Sequence, residues 1–598
     1  MNGRASQRFW QPLKCVFAIA SSMIVGCFIS SGVGQCATAP IQLLPKQLSQ
    51  IQTEGMPSKL QALLARMPPN YHHFGVAEGG KPAEPEALTL EFTASTTITE
   101  ITLTPDFKVL PGGTCQVGRR YTLASVCRLI VQFTPQGAGP RLGNITLETS
   151  TGQAVSFGLL GYSFFPVVSF TPSVITTVSA TISNGAGLIN GAQNLGIDNG
   201  DELYIPDTGN KAVRYIDSSG IMRTIASPSA GPWGVAVDLF GEVWFSVPSS
   251  NAIFLIFTYG PVIQANGSGT DACKLGGSPC VLITEGVTSP GSMATSDGNS
   301  IFFSEATGGA ALSVAKPEPA MLLRLYDPFP YQTNPVGAFA VDSNENLYSS
   351  WTGAGACAII AQPLYYAENF LAYYARVAGG RTCGFSGDGG QSNGAEIGKQ
   401  IGQIAFDLAG NMYFSDTANN RVRRVDTTGI IRTIAGNGST GLMGDGGPAT
   451  VAAVGTPTGV TIDSEGRVYI LASDAAGTNQ VVRKVTTRGA LSFGSQVQGT
   501  ASATRVLNVA NTGNSALTFY GYTITGADHG DFAIDGNTTN CNFGAGNFLN
   551  AGQSCKIGVV FKPTAVGARS ALLNLVDNTI NAVNTVTLTG VAKSVPRR

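Results

Sequence analysis

Residues 195–226 read LGIDNGDELYIPDTGNKAVRYIDSSGIMRTIA, and residues 404–435 read IAFDLAGNMYFSDTANNRVRRVDTTGIIRTIA. The two align without a gap and keep Asp198/Asp407, Tyr204/Tyr413, Asp207/Asp416, Arg214/Arg423 and Gly220/Gly429. A self-similar unit signals a repeat architecture and decides the fold before any local motif is weighed. Inside each copy, runs of alternating apolar residues are bounded by Gly, Asn and Asp, the mark of short strands joined by tight turns.

Working outward, six versions of the unit can be read. Their first strands are Leu195–Asp198, Gly234–Asp238, Ser292–Asp297, Gly337–Asp342, Gln403–Asp407 and Gly459–Asp463. The second strands follow as ELYIPD, EVWFSV, SIFFSE, NLYSSW, NMYFSD and RVYILA. Short antiparallel strands repeated in this way predict an all-β fold with a six-bladed β-propeller at its centre. The last unit stops after a third strand at Val481–Val485, where LSFGSQVQGT reads as the start of another domain. Upstream, Val174-Ile175-Thr176-Thr177-Val178 matches the fourth-strand text RTIA. This segment is therefore expected to complete the last blade and close the ring, removing free sheet edges.

At 598 residues the chain has room for several domains, yet only 12% of it is charged and it holds 75 glycines. A surface built from Ser, Thr, Asn and Gly suits a turn-rich β protein outside the cytoplasm. The net charge of −1 leaves no electrostatic footprint for nucleic acid. Arg4, Arg8 and Lys14 precede an apolar run from Cys15 to Val33, then small residues to Ala37. This is the layout of a signal peptide over 1–36. An uncleaved anchor and a lipidated Cys27 are the two other readings of the segment, and no later segment is apolar enough to span a membrane. Cleavage leaves Cys115/Cys127, Cys273/Cys280, Cys357/Cys383 and Cys541/Cys555, four neighbouring pairs expected as disulfides. Residues 37–71 read as a linker whose Leu60, Leu63, Leu64 and Met67 keep helical spacing behind Pro57.

The texts DTGNKAVR (207–214) and DTANNRVR (416–423), with the inter-unit text AGNGSTGLMGDGGPAT (435–450), resemble NHL repeats of bacterial secreted proteins. The resemblance spans 174–487 within an expected propeller domain of 171–489. It is specific in the first, fifth and sixth units, whereas the second to fourth have longer loops and lack the D-T-x-N text. The flanks are similar to Hydin-type, choice-of-anchor-D-like immunoglobulin-like sandwiches, at 490–593 and more weakly at 72–170, with a tail at 594–598. That similarity implies that Cys115–Cys127 and Cys541–Cys555 are equivalent bridges.

Chemistry is sparse. The three histidines, His72, His73 and His529, lie outside the propeller, so neither a His-bound metal nor a Ser-His-Asp triad can be assembled inside it. His72-His73 reads as a solvated linker feature. Asp207 and Asp416 sit in D-T-x-N turns and Asp388 and Asp445 in GDGG, where short carboxylates and positive-φ glycines shape turns. No catalytic residue, metal site or cofactor is expected.

Surface for binding remains. Trp233, Val336 and Thr458 open first strands between Pro and Gly, while Trp244 and the aromatic run with Tyr365, Tyr366, Tyr373 and Tyr374 offer rings. Cys273/Cys280 are expected in an inter-blade loop. Cys357/Cys383 are expected to join a third strand to the segment after a fourth, stiffening one face. The resulting expectation is a secreted or cell-surface binding or scaffold protein with a protein or glycan partner. A calcium-dependent, lactonase-like hydrolase or lyase and a carbohydrate-binding surface module stand as alternatives.

Overall fold

The structure is a computed structural model. It describes residues 25–27, 36–38, 40–44, 71–256 (without 153, 179–180, 183–187 and 239–240), five short segments within 280–325, and 338–595 (without 345, 354, 364–374, 478 and 545). The regular structure described is strand, with a few single 3-10 turns and no α-helix. The protein is all-β and of propeller type.

Among the described residues, sheets follow one another through the repeat region. The first pairs Gly196–Ile197, Leu203–Asp207, Ala212–Ile216 and Ile221–Ala226 in order, and the fifth pairs Ile404–Phe406, Met412–Asp416, Arg421–Val425 and Ile431–Ala435. Between them lie sheets that start at Val235–Val237, Pro290–Thr295 and Phe339–Val341. The sixth holds Thr456–Ile462, Val468–Ser473 and the first part of Gln480–Val497. The first strand of each sheet neighbours that of the next, and the sixth returns to the first. Apolar side chains interleave between successive sheets. Ile189, Leu195 and Leu203 pack on Tyr469 and Leu471, while Tyr204 and Val213 pack on Val235 and Phe245.

The expected closure is present. Ser173–Thr177 lies antiparallel to the third strand of the sixth sheet, with Ile175 opposite Val485 and Thr177 opposite Arg483. Val178 N–H adds a bond to Val482 O at 2.8 Å. Ile175 is fully buried there, so the closing strand is held by packing as well as by its ladder.

Two flanking units each set two sheets around one core. The N-terminal core gathers Leu88, Leu90, Phe92, Val131, Phe133, Ile145 and Phe157, and the C-terminal core gathers Leu507, Val509, Ile557, Phe561, Leu573 and Leu588. Their limits differ from the expected ones. Ile41–Leu43, placed in the linker by sequence, is a strand on Glu86–Phe92; the expected helix around 57–67 lies outside the described residues. Val168–Thr171, expected to end the N-terminal unit at 170 and begin the propeller at 171, pairs instead with Arg505–Asn511 of the C-terminal unit. No boundary falls at 489/490 either. Gln480–Val497 is one 18-residue strand that leaves the sixth sheet and continues beside Val583–Lys593. Long-range pairing has no local signal, which is why these limits cannot be read from composition.

The disulfides Cys115–Cys127, Cys357–Cys383 and Cys541–Cys555 are formed. Cys273 lies outside the described residues; Cys280 begins the fourth strand of the second sheet, opposite Leu255, rather than a loop. His72 and His73 are buried in the strand Tyr71–Glu78, and His72 Nε2 lies 2.8 Å from Glu86 Oε2, so they are structural rather than solvated.

Candidate binding face

The repeated acids organise both ends of the first and fifth sheets and one end of the second, fourth and sixth. At the end of a first strand, Asp198 Oδ1 accepts the N–H groups of Gly200 and Glu202, and its Oδ2 accepts Tyr204 O–H at 3.0 Å. Asp407 repeats this with Ala409, Asn411 and Tyr413, and Asp342 with Asn344, Asn346 and Tyr348. In the second sheet the aromatic partner is Trp244, whose indole N–H donates to Asp238 at 3.2 Å. Trp244 is therefore fully buried, and its expected place on a binding surface is corrected. An Asp that caps the turn and an aromatic donor six residues later form one local device.

At the opposite end, the D-T-x-N text staples one sheet to the next. Asp207 accepts Asn190 N–H, Asn210 Nδ2 and Arg214 Nε, all within 2.8–3.0 Å. Asp416 accepts Gly398 N–H and Asn419 Nδ2. The following threonine reaches the next sheet, Thr208 to Pro232 O at 2.6 Å and Thr417 to Pro457 O at 2.7 Å. These prolines directly precede Trp233 and Thr458. Asp388 accepts Arg423 and the Thr433 hydroxyl, while Asp445 accepts Arg483 and Thr177 N–H. Gly387 and Gly389 around Asp388, and Gly444 and Gly446 around Asp445, all have positive φ, a region that favours glycine.

The two faces of the ring are unlike. On the face of the first-to-second-strand turns, the N-terminal unit inserts Arg141. Its guanidinium bonds Asp106 of its own unit, Asp201 of the first sheet and Ser464 of the sixth. Burial opposes that charge, but Asp201 and Asp106 hold Arg141 charged, above its ordinary pKa. Ala138 N–H also bonds Ser464 O, and Leu408 of the fifth sheet packs at Gly139. The C-terminal unit touches the same face, where Gly466 meets Thr512 and Gly552 meets Thr427.

That face concentrates acids. Burial and then neighbouring Asp198 push Glu202 up to about 8, and burial with Asp238 pushes Glu242 to about 9. Burial raises Asp407 to about 6; burial, then Asp201, raises Asp463 to about 7. Glu202 and Glu242, the most strongly raised of the four, hold protons near neutrality. Among the described residues, no group of three or more His, Cys, Asp or Glu is placed to hold a metal ion.

The other face carries the linkers between sheets and exposes apolar side chains. Trp233 is 40% exposed, Phe385 40%, Leu188 69%, Met443 69% and Val451 65%. Phe385 lies under the Arg421 guanidinium, 3.7 Å from ring centroid to carbon. The Cys357–Cys383 bridge ties the linker that carries Phe385 to the fourth sheet. Thr458 is only partly buried, but its hydroxyl oxygen is enclosed with no partner among the described residues. Val336, Tyr365, Tyr366, Tyr373 and Tyr374 lie outside the described residues. Phe385 and Met443 were missed by the sequence reading, although both stand beside the GDGG texts that it singled out.

No family model and no curated protein matches this chain. Among solved structures, it is similar to an auxiliary nutrient binding protein from Bacteroides ovatus, at 14% identity over 70% of this chain and 96% of that one, TM-score 0.39. It is also similar to a virginiamycin B lyase from Staphylococcus aureus, at 11% identity over 67% and 100%, TM-score 0.33. A third is a gluconolactonase from Xanthomonas campestris, at 14% identity over 53% and 93%, TM-score 0.35. Likenesses this distant decide nothing about activity.

Proposed function

We propose that the chain is a secreted or cell-surface binding protein whose six-bladed, NHL-type propeller, flanked by two immunoglobulin-like sandwiches, presents its linker face to a partner. The observation that carries this reading is the contrast between faces. One is occupied by the chain's own flanking units through Arg141 and Gly466, whereas the other exposes Trp233, Phe385, Met443 and Val451. Among the described residues of the ring, Leu408 is the one exposed large apolar side chain on the occupied face, against five on the other, and exposed apolar surface marks places that meet something. The bridge beside Phe385 lowers the ordering cost of such a contact. Disulfides and low charge support a location outside the cytoplasm. The rival lactonase-like reading needs oxygens converging on a hard cation. The acids at the first-strand ends are instead engaged by backbone N–H and tyrosine O–H groups.

The test is surface plasmon resonance of the purified protein against arrays of matrix proteins and glycans. Ligands found there are retested on Trp233→Ala/Phe385→Ala and on Lys108→Glu, an exposed site of the N-terminal unit. Binding is expected to fall at least tenfold in the first variant and to persist in the second. Calcium-dependent lactone hydrolysis, or binding indifferent to Trp233 and Phe385, overturns the reading.

A further inference from the structure

We infer that the linkers entering the fifth and sixth sheets form one continuous docking patch for an acidic, apolar-bearing polypeptide segment of a partner; this rests on the open-face reading above. Continuity is visible in the contacts. Phe385 stacks on Arg421, Arg421 Nη2 donates to Asn437 O at 2.9 Å, and Asn437 Nδ2 donates to Val451 O at 3.0 Å. Met443 stands in the same linker as Val451, and both are more exposed than buried. The patch thus joins an aromatic ring, a thioether and a branched aliphatic across two linkers. Flat aromatic surface alone would suit a sugar, but flexible Met and branched Val suit apolar side chains.

The charges on this patch choose the sign of the partner. Of its acids, Asp388 is paired with Arg423 and Asp445 with Arg483, while Glu396, bonded by the neutral Thr382 hydroxyl, keeps one negative charge beside Gly384. Arg381 and Lys399 are exposed, have no ion pair among the described residues, and flank Phe385 in the same linker. Arg421 donates to the carbonyls of Asn419 and Asn437 and already feels Asp388 and Asp416, so Arg381 and Lys399 are the cations left over, and they outnumber Glu396. An excess of cations around an apolar centre matches carboxylates around apolar side chains, the arrangement that steers association and fixes its register. The Cys357–Cys383 bridge sits between Arg381 and Phe385 in sequence and holds the patch in place before the partner arrives.

Calorimetric titration of the intact protein tests this with four probes. These are a peptide alternating glutamate and phenylalanine, its lysine counterpart, polyglutamate, and polygalacturonate. The Glu/Phe peptide is expected to bind at least tenfold more tightly than the Lys/Phe peptide and than polyglutamate. Arg381→Glu/Lys399→Glu should weaken it at least tenfold and flatten its salt dependence. Phe385→Ala/Met443→Ala should weaken it by a similar factor, and Lys108→Glu should leave it unchanged. Melting temperatures check that each variant is folded. Equal affinity for the two peptides, or indifference to both double variants, overturns the inference. Polygalacturonate binding that depends on Arg381 and Phe385, with no Glu/Phe binding, overturns the inference but keeps the open face. If no ligand at all responds to substitutions on this face, both readings fail.

Discussion

The two faces of the ring are made from the same repeated sentence and have come to opposite uses. On the covered face, the described first-strand Asp residues cap inward-bonded turns, and the flanking units bring Arg141 to Ser464 and Thr512 to Gly466. On the open face the D-T-x-N staple occurs in the first and fifth sheets, and the linkers differ in length, charge and exposed apolar content. The repeated turn chemistry is thus fuller on the covered face. What varies above that chemistry is free to meet a partner.

The comparison breaks most readily at Arg141. Arg141→Ala strands Asp106 and Asp201 in a buried site and should cost about 3–5 kcal/mol. Urea denaturation with a probe on the N-terminal unit would show it; a loss under about 1 kcal/mol, the range of exposed ion pairs, would mean that the covered face is not held there. Next is Ile175→Ala in the closing strand, at about 2–5 kcal/mol for a fully buried side chain. It should raise amide exchange in both Ser173–Thr177 and Gln480–Val497 if ring closure is the shared element. Asp207→Ala leaves Arg214 and Asn190 N–H without their acceptor, for about 1–3 kcal/mol.

pH sharpens the contrast from another side. Asp407, Asp463, Glu202 and Glu242 have folded-state values of about 6, 7, 8 and 9, above those of ordinary carboxyls in the unfolded chain. The folded state therefore binds more protons, so stability is greatest in mild acid and falls as pH rises from about 5 toward 9. A melting temperature that climbs over that window would contradict the burial of these groups. The smallest stability effect belongs to the open face. Phe385→Ala should shift stability by under about 1 kcal/mol, since only the exposed ring and its contact with Arg421 are lost.

Much of the ring was legible because its grammar is local. Asp198, Gly200 and Tyr204 meet within a few residues, as do Asp207, Asn210 and Arg214, so a repeated text reports a repeated turn. The closing strand could be read because its text matches a fourth strand that the last unit lacks. Trp244 misled for a related reason. It reads as a ring for binding, yet its indole completes the turn capped by Asp238. The exchange of Val168–Thr171 into the C-terminal unit has no text of its own, since its pairing partner lies far along the chain. The open face was legible only in part. Trp233 is marked by the preceding proline, whereas the exposure of Phe385 and Met443 depends on linkers folded against Arg421 and Ala453.

The long strand Gln480–Val497 also sets a timetable. Ser173 waits for Thr486 and Arg488, 313 and 315 residues later, and Val168–Thr171 waits still longer for Arg505–Asn511. At about 5–20 residues per second, a ribosome needs roughly 15–60 s to make that interval. Throughout it, one end of the ring stays an unpaired edge on a chain that has already made its earlier sheets. The ring can close only after Thr486 and Arg488 have been made, late in the chain.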